Sequence, residues 1–390
     1  MSWKSIVDVV RRLKFVKLVF QGQQSLSQLC RRFGISRKCG YKWKRRFEAE
    51  GVRGLRDRGR RPRRSPRQTK TLWLGRIRRL RRRHRSWGAR KLRARLRRDF
   101  PRQRVPSART LGRWLRKWKL VRPPRRRTLG GPQLIRPSLT VARRSNAVWT
   151  VDFKGWFCTQ DGRRNEPLTV RDLFSRYLLR VRVLPGHEWP PVRRIFQRLF
   201  RQHGYPAVIR SDNGGPFGST GPAGLSQLSA WWTALGIRVE FIAPGHPEQN
   251  GGHEQMHRVM KAETTRPASR HRSAQQRRMD RWVRQYNEVR PHEGLGQRVP
   301  GEVYQSRPGR ERRVAQKYPR GWSVRRVRSN GQIKWQGRKR SVGEALVGYR
   351  VGLKPLRGAK WEVYFGRVLI GELREQDRGG VRPVRLVRLK

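Results

Sequence analysis

Apolar positions near the N-terminus recur in a helical rhythm. In SLSQLCRRFGISRKCGYKWKRRF (25–47), Leu26, Leu29, Cys30 and Phe33 share one helical face. Gly34 follows as a tight turn, Ile35 as a plug between two helices, and Ser36 as the N-cap of a second helix running through Phe47. A looser copy of the pattern lies further on, where Leu111, Trp114, Leu115 and Trp118 form an i, i+3, i+4, i+7 stripe behind a Ser107 cap. From residue 148 the period shortens to two. AVWTVDFKGWF alternates as a strand, with Trp149, Val151 and Phe153 on one face and Asp152 on the other. Asp161-Gly162 marks a hairpin, and EPLTVRDLFSRYLLRVRVL predicts two more strands about a turn near Asp172 to Ser175. VRRIFQRLFRQHG then reads as an amphipathic helix, PAVIRSDNGGPF as a buried strand ending at Asp212, LSQLSAWWTALGI as a helix and RVEFIA as a strand. The loop HPEQNGG leads into a helix carrying Glu254, so the order is β-β-β-α-β-α-β-α.

Three Pro/Arg-rich stretches (56–68, 122–138 and 306–313) lack this periodicity and read as linkers. They divide a multidomain α+β chain into helical blocks at 1–55 and 69–121, a mixed block at 145–305 and a strand-rich tail at 318–375. The tail has a hairpin signal at Asn330-Gly331 and a second strand run, KWEVYFGRVLIGEL.

Charge narrows the partners. Lys and Arg number 97 against 25 Asp and Glu, a net +72 over 390 residues. Such a chain repels itself unless a polyanion is near, and DNA is the obvious one. Ribosomal and chromatin-packing proteins share the bias but seldom carry 15 tryptophans. The first helical block then reads as a helix-turn-helix with Arg37, Lys38, Lys42 and Arg45 on its recognition helix. The competing reading is a solvated basic face. Three cysteines form neither a disulfide framework nor a C-x-x-C pair, which fits a reducing cytoplasm. The first residues lack the apolar core of a signal peptide, and no stretch approaches the roughly 18 apolar residues of a membrane span. The expectation is a cytoplasmic, nucleoid-associated protein with no membrane partner.

The acids carry the candidate chemistry. Asp152 and Asp212 sit at strand positions and Glu254 at a helix start, where all three can converge on one rim. An acid inside an apolar strand costs energy unless it is partnered, and three converging carboxylates repel unless cations neutralise them. Mg²⁺ suits such a site, and two ions about 4 Å apart suit phosphodiester chemistry. The plain alternative is a turn or ion-pair acid. Glu240 and Glu248 are rival glutamates, one in a strand run and one in a Gly/Pro/Asn loop. His253-Glu254-x-x-His257 also spells a zinc-peptidase helix, but Gly251-Gly252 put His253 at the very helix start. Met260 and Glu263 replace the glycine and third histidine of the extended motif. On the helix, Glu254, Arg258 and Lys261 share a face opposite Met256, Val259 and Met260.

VWTVDFKGWF, TVRDLFSRYLL, VIRSDNGGPF, GHPEQNGGHEQMHRVMK and YNEVRPHEGLGQRVPGEVY together resemble the integrase core of bacterial insertion-sequence transposases, over about 145–305. The resemblance implies an RNase H-like α/β fold of the retroviral-integrase superfamily, with N-terminal helix-turn-helix domains before it. It further implies an Asp-Asp-Glu triad at Asp152, Asp212 and Glu254, two Mg²⁺ ions with Mn²⁺ as substitute, and a small C-terminal β-barrel. The implied activity is hydrolysis at element ends to free a 3′-OH, then strand transfer into target DNA by a homo-oligomeric synaptic complex. Arg258 and Lys261 are placed to meet DNA phosphates. The interval from Asp212 to Glu254 is longer than in retroviral integrases, with GSTGPAG (218–224) accounting for the excess. The functional alternative is a non-catalytic, transposase-derived DNA-binding repressor.

Overall fold

A computed structural model describes residues 3–58, 69–121, 139–243, 251–309, 316–377 and 379–382. The predicted linkers at 56–68 and 306–313 fall partly, and that at 122–138 wholly, outside the described residues. The chain divides into two compact units, Met1–Thr69 and Lys70–Lys390.

The first unit holds α1 (Trp3–Gln21), α2 (Leu26–Arg32) and α3 (Arg37–Glu50). Its core gathers Phe15, Val16, Leu29, Cys30, Trp43 and Leu55, with Leu26, Phe33 and Ile35 packed against it. The turn is built as the local sequence dictates. Gly34 takes φ +65°, and the Ser36 side chain accepts from the Cys39 N–H at 3.3 Å. Ser25 adds a reciprocal cap to α2 with Gln28. Cys30 is core filler, and Gly40 lets α3 approach it, since a Cβ there would collide with its sulfur.

The second unit begins with α4 (Thr71–Arg83), α5 (Ala89–Asp99) and α6 (Ala108–Lys117). Trp73, Ile77, Trp87, Leu92, Leu96, Leu111 and Leu115 form their core. Ser107 caps α6 by accepting from the Thr110 N–H at 3.1 Å. Trp118 packs on this core, and Trp114 lies half-buried beside it, ring centroids 5.7 Å apart.

The mixed block follows as β1 (Val148–Phe153), β2 (Phe157–Cys158), β3 (Arg164–Asp172), β4 (Leu178–Leu184), α7 (Trp189–His203), β5 (Val208–Ser211), α8 (Gln227–Ala234), β6 (Arg238–Phe241), α9 (Gly251–Thr264), α10 (Arg272–Glu288) and α11 (Pro300–Val303). Six strands form one mixed sheet: β3 pairs antiparallel with β1, β2 and β4, while β1, β5 and β6 run parallel. Helices cover both faces, as a sheet with parallel strands requires. Trp149, Val151, Leu168 and Val170 pack with α7 and α8. Leu178, Val181 and Val183 pack with Met256 and Met260 of α9 and Met279, Trp282 and Tyr286 of α10. Asp152, out of phase with Trp149 and Val151, therefore stands on the α9 side.

The helical α4–α6 region joins this second layer through a polar seam. Glu263 of α9 accepts from the Trp282 indole N–H at 2.6 Å, from Arg290 at 3.2 Å and from Ser86. His84, stacked on Trp87, meets Gln285 of α10 at 2.9 Å.

The tail departs from the expected barrel. Its strands are β7 (Ser323–Arg326), β8 (Gln332–Trp335), β9 (Arg338–Ser341), β10 (Arg350–Leu356), β11 (Lys360–Phe365) and β12 (Val368–Arg374). They form an open four-stranded sheet, β12-β11-β10-β7, and a separate β8-β9 pair. Asn330-Gly331 does turn the chain, with Gly331 at φ +73°, but its flanking strands pair elsewhere: β7 with β10 and β8 with β9. The two sheets share one core that also takes Leu225 and, from α8, Ala230. That core is closed by the mixed block, so no circular sheet is needed to bury it. The segment that lengthens the Asp212–Glu254 interval supplies part of this platform, and Pro222 sits against Gly343.

Candidate active site

Each predicted acid reaches the sheet rim by a different route. Asp152 is the last residue but one of the central strand β1, opposite Thr169 of β3. Asp212 follows β5 directly and accepts from the Gly214 N–H at 3.3 Å, so a tight turn fixes it at the same end of the adjacent parallel strand. Glu254 lies exposed in the first turn of α9, with Arg258 and Lys261 exposed beyond it. Met256 and Met260 are buried on the opposite side and Val259 is half-buried, as the helical pattern predicts.

Asp152 lies within electrostatic reach of both Asp212 and Glu254. Burial pushes the Asp152 carboxyl up to about 7, and the negative charges of Asp212 and Glu254 add to the rise. Lys154 and the Phe153 backbone act against it. Among the described residues, however, no three His, Cys, Asp or Glu side chains form a set that could hold a metal ion. The chemistry of the site still fits a hard divalent cation, because its acids offer only oxygen donors and their mutual repulsion is what such a cation relieves.

The rival glutamates separate. Glu240 is tied to Arg210 at 2.9 Å and Arg238 at 3.0 Å and also bonds Thr140, which makes it an ion-pair acid. Burial opposes its charge, but Thr140 and the two arginines outweigh that and hold its carboxyl below the usual range. Glu248 lies outside the described residues.

Both histidines of the His-Glu-x-x-His stretch are buried, unlike Glu254. His253 hydrogen-bonds the Thr169 backbone and lies near Arg171, itself buried on β3. His257 points to Thr169 and Asp152. Burial, with Lys154 and Arg171 nearby, lowers the His257 imidazole to about 3 and keeps it neutral. Sequence reasoning missed Thr169, Lys154 and Arg171. The two-residue alternation along β3 was the available signal, since Thr169 and Arg171 share a face, but the partner across the sheet was not.

Arg37, Lys38, Lys42 and Arg45 are all exposed on α3, although Arg37 bonds Ser27 at 3.1 Å and Lys42 lies over the Trp43 ring at 4.5 Å. They belong to the first unit, and the acids to the second.

Comparison with known proteins agrees with this layout. Two profiles described as integrase core domain match residues 142–247 and 235–300. A helix-turn-helix domain matches 11–63, a homeodomain-like domain 39–115, and the IS481 family transposase C-terminal domain 322–378. The chain is 31% identical over 179 residues to an uncharacterized 31.7 kDa protein of insertion element IS407 from Burkholderia multivorans, covering 46% of this chain and 62% of that protein. It is 30% identical over 221 residues to an uncharacterized 39.2 kDa protein of insertion element IS476 from Xanthomonas euvesicatoria, covering 56% and 60%. The chain thus spans about three fifths of each of these relatives. Among solved structures, the HTLV-2 integrase catalytic core in complex with magnesium is matched over 42% of this chain and all of that one, at 13% identity and TM-score 0.34. A simian T-cell lymphotropic virus intasome is matched over 61% and 82%, at 15% identity and TM-score 0.37. In sequence the chain is similar to proteins of insertion elements, with matches to helix-turn-helix and integrase core domains, and its tail matches the C-terminal domain of the IS481 family transposases.

Proposed function

We propose that this chain is a catalytically active transposase: it binds the ends of its element, hydrolyses a phosphodiester to free a 3′-OH, and joins that hydroxyl to target DNA. One observation carries the reading: Asp152 and Asp212 stand at the same end of the adjacent parallel strands β1 and β5, and Asp212 and Glu254 both add to the rise of the buried Asp152 carboxyl. A structural role accounts poorly for three acids brought to one rim at such electrostatic cost. Asp152, Asp212 and Glu254 are the residues that would hold Mg²⁺, or Mn²⁺ in its place, and two ions there would stabilise charge on the attacking and leaving oxygens. The protein's own part is placement. Strand β1 holds Asp152 rigidly, and α9 carries Glu254 on a helix pinned by buried methionines. Arg258 and Lys261 extend from the Glu254 face as cations for the phosphates of the cleaved strand. Arg37, Lys38, Lys42 and Arg45 read element ends from α3. Joining two ends requires a multimer, and the reaction belongs where the DNA is, in the cytoplasm with the nucleoid.

The test is a cleavage and strand-transfer assay on DNA carrying the element's terminal sequences, with Mg²⁺, Mn²⁺ or Ca²⁺. Mg²⁺ and Mn²⁺ support cleavage and Ca²⁺ supports binding only. End binding without cleavage under any of these ions would make the chain a DNA-binding repressor instead.

A further inference from the structure

We infer that His257 is a positioning residue for Asp152, acting through Thr169, so that one turn of α9 presents Glu254 outward to solvent and a buttress inward to the central strand. The inference rests on the metal-dependent reading above and deepens it. Register is its starting point: Thr169 of β3 lies opposite Asp152 of β1. The Thr169 hydroxyl stands 2.8 Å from His257 Nε2 and 3.0 Å from the Asp152 carbonyl oxygen. His257 Nδ1 lies 3.6 Å from Asp152 Oδ2. The ring is only 3% exposed, so water does not compete for either nitrogen. A neutral imidazole carries one N–H. The Thr169 hydroxyl gives its one hydrogen to the Asp152 carbonyl oxygen, so its oxygen accepts from His257 Nε2–H, and Nδ1, 3.6 Å from the carboxylate, only packs beside it. The resulting chain, His257 to Thr169 to the Asp152 carbonyl, ties α9, β3 and β1 together behind the carboxylate. Supporting hydrogen bonds of this kind orient ligating groups, and their loss typically costs about 10–100-fold in metal affinity or activity. The spelling of a zinc helix thereby finds another use: its second histidine braces the strand that carries a carboxylate rather than binding an ion.

The test uses the full chain with four substitutions, His257→Ala, His257→Asn, His257→Gln and Thr169→Val. The readouts are a Mn²⁺ isotherm followed by electron paramagnetic resonance, cleavage rate, end affinity and urea midpoint. His257→Ala should bind Mn²⁺ about 10–100-fold more weakly and cleave correspondingly slower, with end affinity kept. His257→Gln, whose amide nitrogen falls near the Nε2 position, should recover most of the loss. His257→Asn, whose donor falls short of Thr169, should not, and Thr169→Val, which removes both bonds of the chain, should fall as far as His257→Ala. Where His257→Ala does not fold, the Asn and Val variants carry the test. Wild-type Mn²⁺ affinity in the folded variants would overturn the inference, even if their stability falls, because that pattern describes packing alone. A wild-type chain that binds no Mn²⁺ would overturn the metal reading and this inference with it; wild-type binding with unaltered variants would overturn this inference alone.

Discussion

At the scale of single residues, two glutamates offer opposite outcomes from the same substitution. Glu254 is exposed on α9 and enters the electrostatics of Asp152, whereas Glu240 is spent on Arg210, which is itself buried. Glu254→Gln should therefore abolish end cleavage, by more than the roughly 100-fold typical of a supporting residue, while end binding and stability persist. Glu240→Gln should do the reverse. It leaves the Arg210 guanidinium buried without its anion, a loss of up to about 3 kcal/mol, yet should spare the chemistry in whatever fraction folds. Urea unfolding and a cleavage assay on both variants check the pair, and a Glu240→Gln protein that folds fully but cannot cleave would reverse the two assignments.

Elements show what local sequence can and cannot specify. The α2–turn–α3 unit was legible because its determinants lie within a dozen residues: Ser36 caps, Gly34 turns, and Cys30 fills. The rim positions of Asp152 and Asp212 were legible because strand ends follow from alternation and from the Asn-Gly-Gly turn. Contacts across the fold were not. Nothing in the order of residues joins Thr169 to His257, 88 positions on, or Ser86 to Glu263, 177 positions on. The tail went astray for the same reason, since Leu225 and Ala230 of the mixed block complete its core from outside the strand run. The Glu263 seam is where such a distant contact becomes testable. Glu263→Ala would strand the buried Arg290, and breaking a buried pair costs about 3–5 kcal/mol; a lowered urea midpoint checks it. His84 gives the same seam a pH dependence. Burial, helped by Arg83, Arg95 and Arg290 and opposed by Glu263, lowers its imidazole to about 4. The folded state thus holds it neutral, while the unfolded chain takes up a proton below about 6.5. Stability is fully present above that value and declines as pH falls toward 4. His84→Gln, which cannot titrate, should flatten this part of the pH profile relative to wild type; an unchanged slope would place the dependence elsewhere.

For the whole molecule, a net charge of +72 makes salt act in two opposing directions. In the free protein, like charges repel, and added salt screens those more than about 10 Å apart at about 0.1 M. Moderate NaCl should therefore raise the thermal midpoint of the DNA-free chain. In the complex, phosphates already neutralise the cations, and the counterions released on binding make affinity fall with salt, at a slope near −0.9 for each phosphate contact. If about six to ten phosphates are met, affinity for random duplex should drop by roughly 10³–10⁵ between about 50 and 200 mM salt. Base contacts release no such ions, so preference for element ends should be better preserved than affinity itself. The exposed α3 residues separate these contributions. The double substitution Arg37→Ala and Lys42→Ala should reduce end affinity more than random-duplex affinity, because a recognition helix contributes both base-edge and phosphate contacts. Fluorescence anisotropy titrations across a salt series, on end and random duplexes in parallel, measure slope and preference together. Equal losses on both DNAs would reduce α3 to a nonspecific anchor and move end recognition to another part of the chain. A thermal midpoint that falls with moderate salt would mean that pairs such as Arg210–Glu240 and Arg290–Glu263, and not self-repulsion, dominate the electrostatics of the free chain.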